Sequence, residues 1–359
     1  MPLQFGIFDH LERRQDVPLD QQYDERLELL ACADALGFYG YHLAEHHQSR
    51  LCMAPSPSLF MSAAARHTRR LKLGALVYCL PFYHPLRLIE EICMLDHLSG
   101  GRLQVGIGRG ITAIEHSYWG ISPVEAQARQ DETLAILALG LGSDTLSYDG
   151  RFYHFDDVPL ELVPKQRPHP PFWYAGNAEY AARHGMHFIG FGGARFAPAV
   201  AQFRALWAEC RDQPGRLNPQ VAEPFVGSSR HVVVADTDAE AEAIGRAAWP
   251  VFDRNFDKRG MRGPGPETQP DGSVRPVPPG GPGQGAPFED ARTRERVVVG
   301  SPDTIAAYVE QYAALPDANY FLAAFQWGNM THAQAIRSLE LFGTEVMPRI
   351  ARVAAPTPA

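Results

Sequence analysis

The stretch KLGALVYCLPFYHPLRLIEEICMLDHLSGGRLQVGIGRG, residues 72–110, decides the fold class. Residues 73–77 form a short apolar run of the kind that buried parallel strands show, and apolar residues then recur at helical spacing between positions 88 and 98. Ser-Gly-Gly at residues 99–101 ends the helix. A second apolar run, residues 103–107, leads directly into Gly108-Arg109-Gly110. An arginine therefore stands at the carboxyl end of a buried strand, which is where α/β folds carry their chemistry.

Units of a short strand followed by a helix account for most of the chain. Short apolar runs, each followed by a segment with helical periodicity, occur at residues 3–8, 38–43, 73–77, 103–107, 172–175, 188–191, 231–235 and 320–325. No glycine-rich dinucleotide-binding turn follows the first run, which argues against a doubly wound sheet. The sequence therefore predicts an α/β protein with a single (β/α)8 barrel, or TIM barrel, domain over residues 1–359.

Two segments interrupt this rhythm. Residues 149–164 combine aromatic and aliphatic side chains around Asp149-Gly150, which predicts an inserted β-hairpin. Residues 258–286 are rich in proline and glycine and show no apolar periodicity, so they predict a long mobile loop outside the core. Because loops of that length in compact domains often cover active sites, we expect this segment to be a lid.

Composition limits the kind of partner. The 359 residues carry a formal net charge of -8, from 33 Lys and Arg against 41 Asp and Glu, without a basic run. This balance gives no electrostatic basis for binding nucleic acid or an anionic membrane, and it favours a small-molecule substrate. Neither a cationic apolar leader nor an apolar stretch of roughly 20 residues is present, so we expect a cytoplasmic protein. The cysteines show no paired CxxC spacing, which argues against a disulfide framework.

The segment HPLRLIEEICMLDHLSGGRLQVGIGRG, residues 84–110, resembles the signature region of the bacterial-luciferase-like flavin-dependent oxidoreductases. The likeness extends to AEHH at residues 44–47 and to FGTEVMPRI at residues 342–350, so it covers the chain nearly end to end. It implies a luciferase-like barrel with flavin mononucleotide (FMN) as cofactor. Gly108 stands where luciferase has a reactive cysteine, so light emission is not expected.

The resemblance also implies a set of cofactor-binding residues. Family members hold a cis peptide bond under the flavin ring, and by position this bond falls near Leu76 and Val77. A planar guanidinium can bind the FMN phosphate bidentately, and the amino terminus of a helix can add backbone donors. The matching positions are Leu76, Val77, Arg109, Gly110, Arg129, Gly176, Asn177, Ala178 and Glu179. On the sequence alone, Arg109 could instead pair structurally with a carboxylate such as Asp96.

The loop at residues 42–47 allows more than one interpretation. HLAEH at residues 42–46 fits the HxxEH spacing of a zinc peptidase family, which requires a helix that places both histidines on one face. The residues before it are strand-like and those after it are loop-like, so we predict no metal site. A purely structural role for the histidines stays open. The resemblance places His46 beside the flavin as a proton relay, with Glu45 orienting the loop and His84 as a further candidate for the same pocket.

Together these features predict a monooxygenase. It would receive reduced FMN from a separate flavin reductase, use dioxygen, and oxygenate a small organic substrate, and we expect a homodimer. Two alternatives remain within the resemblance. One is a reductase or dehydrogenase that uses a deazaflavin, and the other is a non-catalytic flavin-binding subunit, which the presence of AEHH disfavours.

Overall fold

A computed structural model describes residues 1–256, 267–268, 274–275 and 285–353. In chain order the strands are β1 (Gln4–Asp9), β2 (Gly40–Leu43), β3 (Lys72–Cys79), β4 (Leu103–Gly108), β5 (Thr145–Asp149), β6 (His154–Pro159), β7 (Phe172–Ala175), β8 (His187–Gly190), β9 (Val226–Val234), β10 (Glu267–Thr268), β11 (Val274–Arg275), β12 (Val297–Gly300) and β13 (Tyr320–Ala324). The helices are α1 (Leu19–Leu36), α2 (Pro57–His67), α3 (Pro85–Leu98), α4 (Ala113–Tyr118), α5 (Pro123–Gly140), α6 (Ala178–Arg183), α7 (Phe196–Cys210), α8 (Asp238–Phe256), α9 (Phe288–Thr293), α10 (Pro302–Ala313), α11 (His332–Leu341) and α12 (Met347–Val353). None of the helices in these ranges is long and apolar enough to cross a membrane.

Eight parallel strands close into a barrel. Their order is β1-β2-β3-β4-β7-β8-β9-β13, and β13 pairs with β1 to complete the ring. The barrel strands are almost completely buried, because helices cover their outer face and side chains fill the interior. That double burial is why most of them appear in the sequence as continuous apolar runs. The predicted (β/α)8 barrel is confirmed.

The seventh barrel strand, β9, is longer than the sequence predicts. It begins at Val226 instead of residue 231, and its first half contains Gly227 and Ser228, which hide it from a search for apolar runs. Gly227 is required at this point, because a Cβ atom there would lie 2.0 Å from the Tyr320 carbonyl oxygen of β13. The second half of β9 pairs in parallel with β12, an additional strand outside the barrel that the sequence analysis does not include.

The inserted hairpin is confirmed, with β5 and β6 pairing antiparallel, but it spans residues 145–159 and so begins before the predicted start at residue 149. The Glu132 carboxylate of α5 accepts hydrogen bonds from the backbone N–H groups of Arg151, Phe152 and Tyr153, at 3.1, 2.9 and 2.9 Å. This attaches the tip of the hairpin to the helical layer. The predicted lid, residues 258–286, lies outside the described residues, apart from the backbone pair β10–β11 and residues 285–286.

Aromatic and polar side chains fill the barrel interior. The Trp173 indole N–H donates to Gln104 Oε1 at 2.7 Å, and His42 Nε2 and the Tyr320 hydroxyl form a hydrogen bond of 2.9 Å. Burial lowers the pKa of His42 to about 3, so its imidazole is neutral at physiological pH. A filled interior leaves the ends of the barrel as the places where a ligand can bind, and in this architecture active sites form at the carboxyl ends of the strands.

A close approach between β3 and β4 generates the first prediction. A Cβ atom on Gly106 would lie 2.2 Å from the Ala75 carbonyl oxygen, and backbone cannot move aside as a flexible side chain can. We therefore expect Gly106→Ala to lower the free energy of unfolding by about 3 kcal/mol. Urea unfolding followed by circular dichroism measures this change.

The matched control is Gly142→Ala at an exposed position after α5, where the nearest atom would be 3.8 Å from the new Cβ. Its free energy of unfolding should stay within about 0.5 kcal/mol of the wild-type value. If both variants are equally stable, the contact between β3 and β4 is not as tight as the structure indicates.

Candidate active site

The loop after β2 is held by the buried carboxylate of Glu45. Its Oε1 pairs with His47 Nε2 at 2.8 Å, while its Oε2 accepts from the Tyr83 hydroxyl at 2.7 Å and from the Cys79 backbone N–H at 3.2 Å. These bonds join the ends of β2 and β3. The geometry supports the orienting role expected for Glu45 in the loop that carries His46, and its part in catalysis stays a prediction.

A second buried carboxylate, Glu115 of α4, binds the same loop. Glu115 Oε1 lies 3.3 Å from His46 Nδ1 and accepts the His47 backbone N–H at 2.8 Å, and Oε2 accepts the Thr112 hydroxyl. Burial would raise the pKa of Glu115, but the hydrogen bonds and charge of His46, together with the other donors, hold it below its ordinary value. An ionised Glu115 therefore makes Nδ1 the protonated nitrogen of neutral His46 and leaves Nε2 free.

Sequence reasoning missed Glu115. The signal it could have used is local, because Thr112 caps α4 and Glu115 is the third residue after it, which matches the pattern of a capping box. That pattern predicts the start of a helix. It does not predict a contact with a loop almost 70 residues earlier in the chain.

His46 is one of three imidazoles that lie side by side at the barrel mouth. The ring of His10, which follows β1, stacks on His46 at a centroid distance of 5.8 Å and on His231 of β9 at 6.5 Å. Burial, followed by the charges of His46 and His231, holds the pKa of His10 well below its ordinary value. The sequence analysis did not single out His10 or His231, because their proximity depends on the closure of the barrel.

Arg109 projects from the end of β4 and is exposed. Among the described residues, no hydrogen bond or ion pair engages its guanidinium. Its charge acts on Tyr174 at the end of the neighbouring strand β7. Burial raises the pKa of the Tyr174 phenol, and the positive charge of Arg109 offsets part of that rise. The alternative partner, Asp96, accepts hydrogen bonds from the backbone and side chain of Gln166, both at 2.7 Å. Asp96 is therefore not a partner of Arg109 in this structure.

The Leu76-Val77 peptide bond is cis, as predicted. It lies where the register between β3 and β4 shifts, and Leu76 is buried while Val77 is partly exposed. A Cβ atom on Gly108 would lie 2.6 Å from Val77 Cγ2. In this chain the Val77 side chain therefore occupies the space that a cysteine at position 108 would need.

The turn after β7 brings backbone groups to the same end of the barrel. Gly176 has φ of 88°, a left-handed conformation that suits glycine, and its N–H donates to the Ile189 carbonyl at 2.8 Å. Asn177 caps α6, because its side-chain oxygen accepts the Tyr180 N–H. Glu179 forms an ion pair with Arg183 on the same short helix. The Asn177 side chain is thus already engaged, while the turn remains exposed.

Two predicted residues contact the inserted hairpin. The Arg129 guanidinium lies 4.2 Å from the centre of the Phe152 ring, and its buried Nε has no hydrogen-bond partner among the described residues. His84 is exposed and packs edge-on against Tyr153 and Phe155 at 5.5 and 5.8 Å. The structure therefore does not bring the His84 ring into contact with the imidazoles of the mouth, and its catalytic role is not supported by its position.

The two histidines of the HxxEH pattern, His42 and His46, do not lie on one face of a helix. His42 points into the barrel toward Tyr320, whereas His46 lies at the mouth beside Glu115. Within the described ranges, no group of three or more histidine, cysteine or acidic side chains has an arrangement suited to a metal ion.

Glu12, in the loop after β1, connects three segments near the mouth. Its carboxylate accepts the Asn255 side-chain amide at 3.0 Å and the Gly328 backbone N–H at 3.2 Å. Burial raises the pKa of Glu12 to about 7, although these two hydrogen bonds and the charge of Arg26 act in the opposite direction. Near neutral pH this buried group is therefore divided between its protonated and ionised forms.

The strand ends of this (β/α)8 barrel, where enzymes of this architecture carry their active sites, hold a carboxylate-bound imidazole and a guanidinium with no partner among the described residues. Comparison with known proteins identifies the family. The sequence profile of the luciferase-like monooxygenases matches residues 3–318, so the chain belongs to that family and is by membership a monooxygenase. This confirms the resemblance found in the sequence.

Two curated relatives illustrate the range of similarity. An uncharacterized protein of Sinorhizobium fredii, y4wF, is 37% identical over 353 residues, which cover 97% of each chain. The oxygenase component of the flavin-dependent trigonelline monooxygenase of Acinetobacter baylyi is 28% identical over 251 residues, or 67% of each chain.

Solved structures share the fold. The monooxygenase RslO1 from Streptomyces bottropensis aligns with a TM-score of 0.80 at 24% identity, covering 97% of this chain and 99% of that one. The oxygenating constituent of 3,6-diketocamphane monooxygenase from Pseudomonas putida, in complex with FMN, aligns at 0.70 with 20% identity, covering 97% and 98%. An F420-dependent secondary alcohol dehydrogenase aligns at 0.67 with 17% identity, covering 98% and 99%.

The second prediction concerns Glu12 and pH. The folded protein keeps the Glu12 proton up to about pH 7, whereas the unfolded chain releases it near the ordinary glutamate pKa of 4.5. Between these values the unfolded state binds fewer protons, so this residue lowers the free energy of unfolding as pH rises, by about 3 kcal/mol in total. Glu12→Gln should remove that loss.

Chemical denaturation at several pH values between 4 and 8 measures the difference between variant and wild type. Contributions from histidines and other carboxylates cancel in this difference, which should grow in favour of Glu12→Gln as pH rises and then stay constant above about pH 7. Two parallel stability curves would mean that Glu12 titrates alike in the folded and unfolded states.

Proposed function

We propose that this chain is an oxygenase that uses reduced FMN and dioxygen to place one oxygen atom in a small organic substrate. The observation that carries the proposal is the presence, at one barrel mouth, of an unengaged Arg109 guanidinium and a His46 imidazole held by Glu115. The flavin-dependent relative and the FMN complex of a protein with the same fold support it.

The residues at the strand ends fit FMN. The free guanidinium of Arg109 is suited to a phosphate dianion, and the exposed turn at residues 176–179 offers backbone groups without a bulky side chain at Gly176. We assign phosphate binding to these residues together with Gly110 and Arg129, and ring contacts to Leu76 and Val77. Bound in its reduced form, FMN supplies the electrons with which dioxygen is activated.

The protein's own contribution to the chemistry is the control of protons. With Nδ1–H directed to the Glu115 carboxylate, the Nε2 atom of neutral His46 can take up a proton, and Glu115 stabilises the imidazolium that results. Glu45 and Glu115 bind the same loop from two sides, so the imidazole has little freedom to rotate away. The aromatic rings around the mouth limit the access of water to this proton.

Further parts of the proposal concern partners. The chain would accept reduced FMN from a separate flavin reductase, act as a homodimer, and work in the cytoplasm. Co-purification with reductase activity and analytical ultracentrifugation test the first two.

A second candidate is a deazaflavin-dependent reductase or dehydrogenase. The likeness in fold to an F420-dependent alcohol dehydrogenase favours keeping it. Equilibrium binding of FMN and of F420 to the purified protein separates the two, since the proposed function requires that FMN bind more tightly.

The third prediction tests Arg109 as the phosphate ligand. Arg109→Gln should weaken FMN binding by roughly tenfold to a hundredfold, because a charge-assisted hydrogen-bond pair is lost, and should leave riboflavin binding unchanged, since riboflavin has no phosphate. Fluorescence titration with both flavins measures this, and Arg87→Gln, an exposed arginine paired with Glu91 on α3, is the control. Equal losses for the two flavins would exclude Arg109 from phosphate binding.

The fourth prediction tests His46. His46→Ala should keep the fold and the affinity for FMN, but slow the oxidation of protein-bound reduced FMN by dioxygen, or the product-forming step that follows, by roughly a hundredfold or more. Stopped-flow absorbance across a pH series locates the affected step. His67→Ala, an exposed histidine at the end of α2, is the control. Unchanged rates would remove His46 from the mechanism.

A further inference from the structure

Helix α4 holds the backbone from which Arg109 projects. The imidazole of His116, on α4, is buried, and its Nε2 lies 2.9 Å from the Arg109 carbonyl oxygen. A carbonyl oxygen can only accept a hydrogen bond, so Nε2 carries the proton. The other ring nitrogen, Nδ1, is buried without a partner among the described residues. The ring therefore has one acceptor to donate to, the Arg109 carbonyl, and this contact selects its Nε2–H tautomer.

This hydrogen bond fixes a whole peptide unit. In the trans peptide that joins Arg109 to Gly110, the Gly110 N–H points in the direction opposite to the carbonyl that His116 holds. Gly110 has φ of 84°, and a Cβ atom there would lie 3.5 Å from both His116 Nε2 and Phe82 Cζ. The peptide thus lies directly against these two rings. Within the described part of the chain, the Gly110 N–H donates no hydrogen bond.

Although α4 has only six residues, it is anchored on both sides of His116. On one side, the Glu115 carboxylate accepts the His47 backbone N–H at 2.8 Å. On the other side, the Trp119 ring stacks on Phe82 at 4.7 Å and packs edge-on against the His47 ring at 4.3 Å. Phe82, between β3 and α3, also lies 5.3 Å from the His116 ring. The position of the donor is therefore set by the fold of the free protein.

We propose that His116 is a positioning residue for the phosphate of the cofactor. By holding the peptide between Arg109 and Gly110, it fixes the backbone that carries the Arg109 guanidinium and the direction of the Gly110 N–H, so the phosphate meets donors that are already in place. The inference rests on the proposed function, since it takes from there the assignment of the phosphate to Arg109 and Gly110. It adds a residue that acts through the backbone of that site.

Two physical effects support this role. The Arg109 side chain is long, exposed and without a protein partner among the described residues, so its backbone is the part that the fold can order. Order that exists in the free protein spares the ligand the entropic cost of imposing it. Donation to the Arg109 carbonyl also polarises the peptide unit and strengthens its N–H as a donor. Both effects act on an anion at this peptide, so a flavin without a phosphate should not depend on His116.

Titration of variants with FMN and with riboflavin tests the proposal without any need for turnover. His116→Leu removes the donor, and we expect it to weaken FMN binding by about threefold to tenfold while riboflavin binding stays within about twofold of the wild type. His116→Gln places an amide N–H close to the position of Nε2. It should restore most of the affinity for FMN, which a loss of general packing around α4 would not allow.

The matched control is His97→Leu. The His97 ring is exposed at the end of α3, and its Nε2 also bonds a backbone carbonyl, that of Val163, at 3.0 Å. This variant loses the same kind of hydrogen bond away from the barrel mouth, so it should bind both flavins as the wild type does. His116→Asn, whose amide reaches the position of Nδ1 and not that of Nε2, should behave like His116→Leu and serves if the leucine variant does not fold.

A measurement on the flavin-free protein tests the positioning itself. In glycine-labelled protein, nuclear magnetic resonance relaxation should give the Gly110 N–H an order parameter near that of rigid backbone, about 0.85. In His116→Leu it should fall to below about 0.6, the range of flexible backbone, and in His116→Gln it should stay near the wild-type value.

The proposal is overturned if His116→Leu weakens both flavins equally, if FMN binding does not change, if the glutamine variant binds FMN no better than the leucine variant, or if the Gly110 order parameter is the same in all three proteins. Failure of the proposed function has a different signature. In that case Arg109→Gln affects FMN and riboflavin alike, while the order parameters still show whether His116 holds the peptide.

Discussion

The buried carboxylate of Glu115 is the constraint on which the catalytic face depends. It joins the loop after β4 to the loop after β2 by accepting hydrogen bonds from the His46 side chain and the His47 backbone. A hydrogen bond to a charged group contributes about 1.5–3 kcal/mol, so this carboxylate helps to hold the two loops together. The same contact selects the tautomer of His46. One interaction therefore fixes both the position of the imidazole and the ring nitrogen that donates to Glu115.

Most of the barrel could be predicted from the sequence, because buried parallel strands leave short apolar runs that local periodicity can detect. The exception, β9, shows the limit of that signal. Its first half contains small and polar residues, and Gly227 is there because the Tyr320 carbonyl comes too close for any side chain. The need for glycine at position 227 comes from Tyr320, almost 100 residues later in the chain. The sequence around Gly227 therefore shows no apolar run from which a strand could be predicted.

Those residues of the candidate site that stand at strand ends within recognisable motifs could be predicted from the sequence. His46, Glu45 and Arg109 are of this kind. Glu115, His10 and His231 are not, because each gains its role from a neighbour that only the closed barrel supplies. His84 shows the reverse case. It is the first residue of the family-like segment 84–110, yet the inserted hairpin of this chain packs against its ring.

Polar side chains inside the barrel and at its mouth differ in how far protein partners satisfy them. Inside, the Trp173 indole and the Tyr320 hydroxyl both have protein partners, as buried polar groups in stable folds generally do, although His42 Nδ1 has none among the described residues. At the mouth, His231 Nε2, Arg296 Nη1 and the side-chain amide of Gln326 are buried with no such partner among the described residues. Gln326 follows β13, the strand between β9 and β1. Unsatisfied donors lower the stability of the free protein, and they are tolerated where a ligand can complete them.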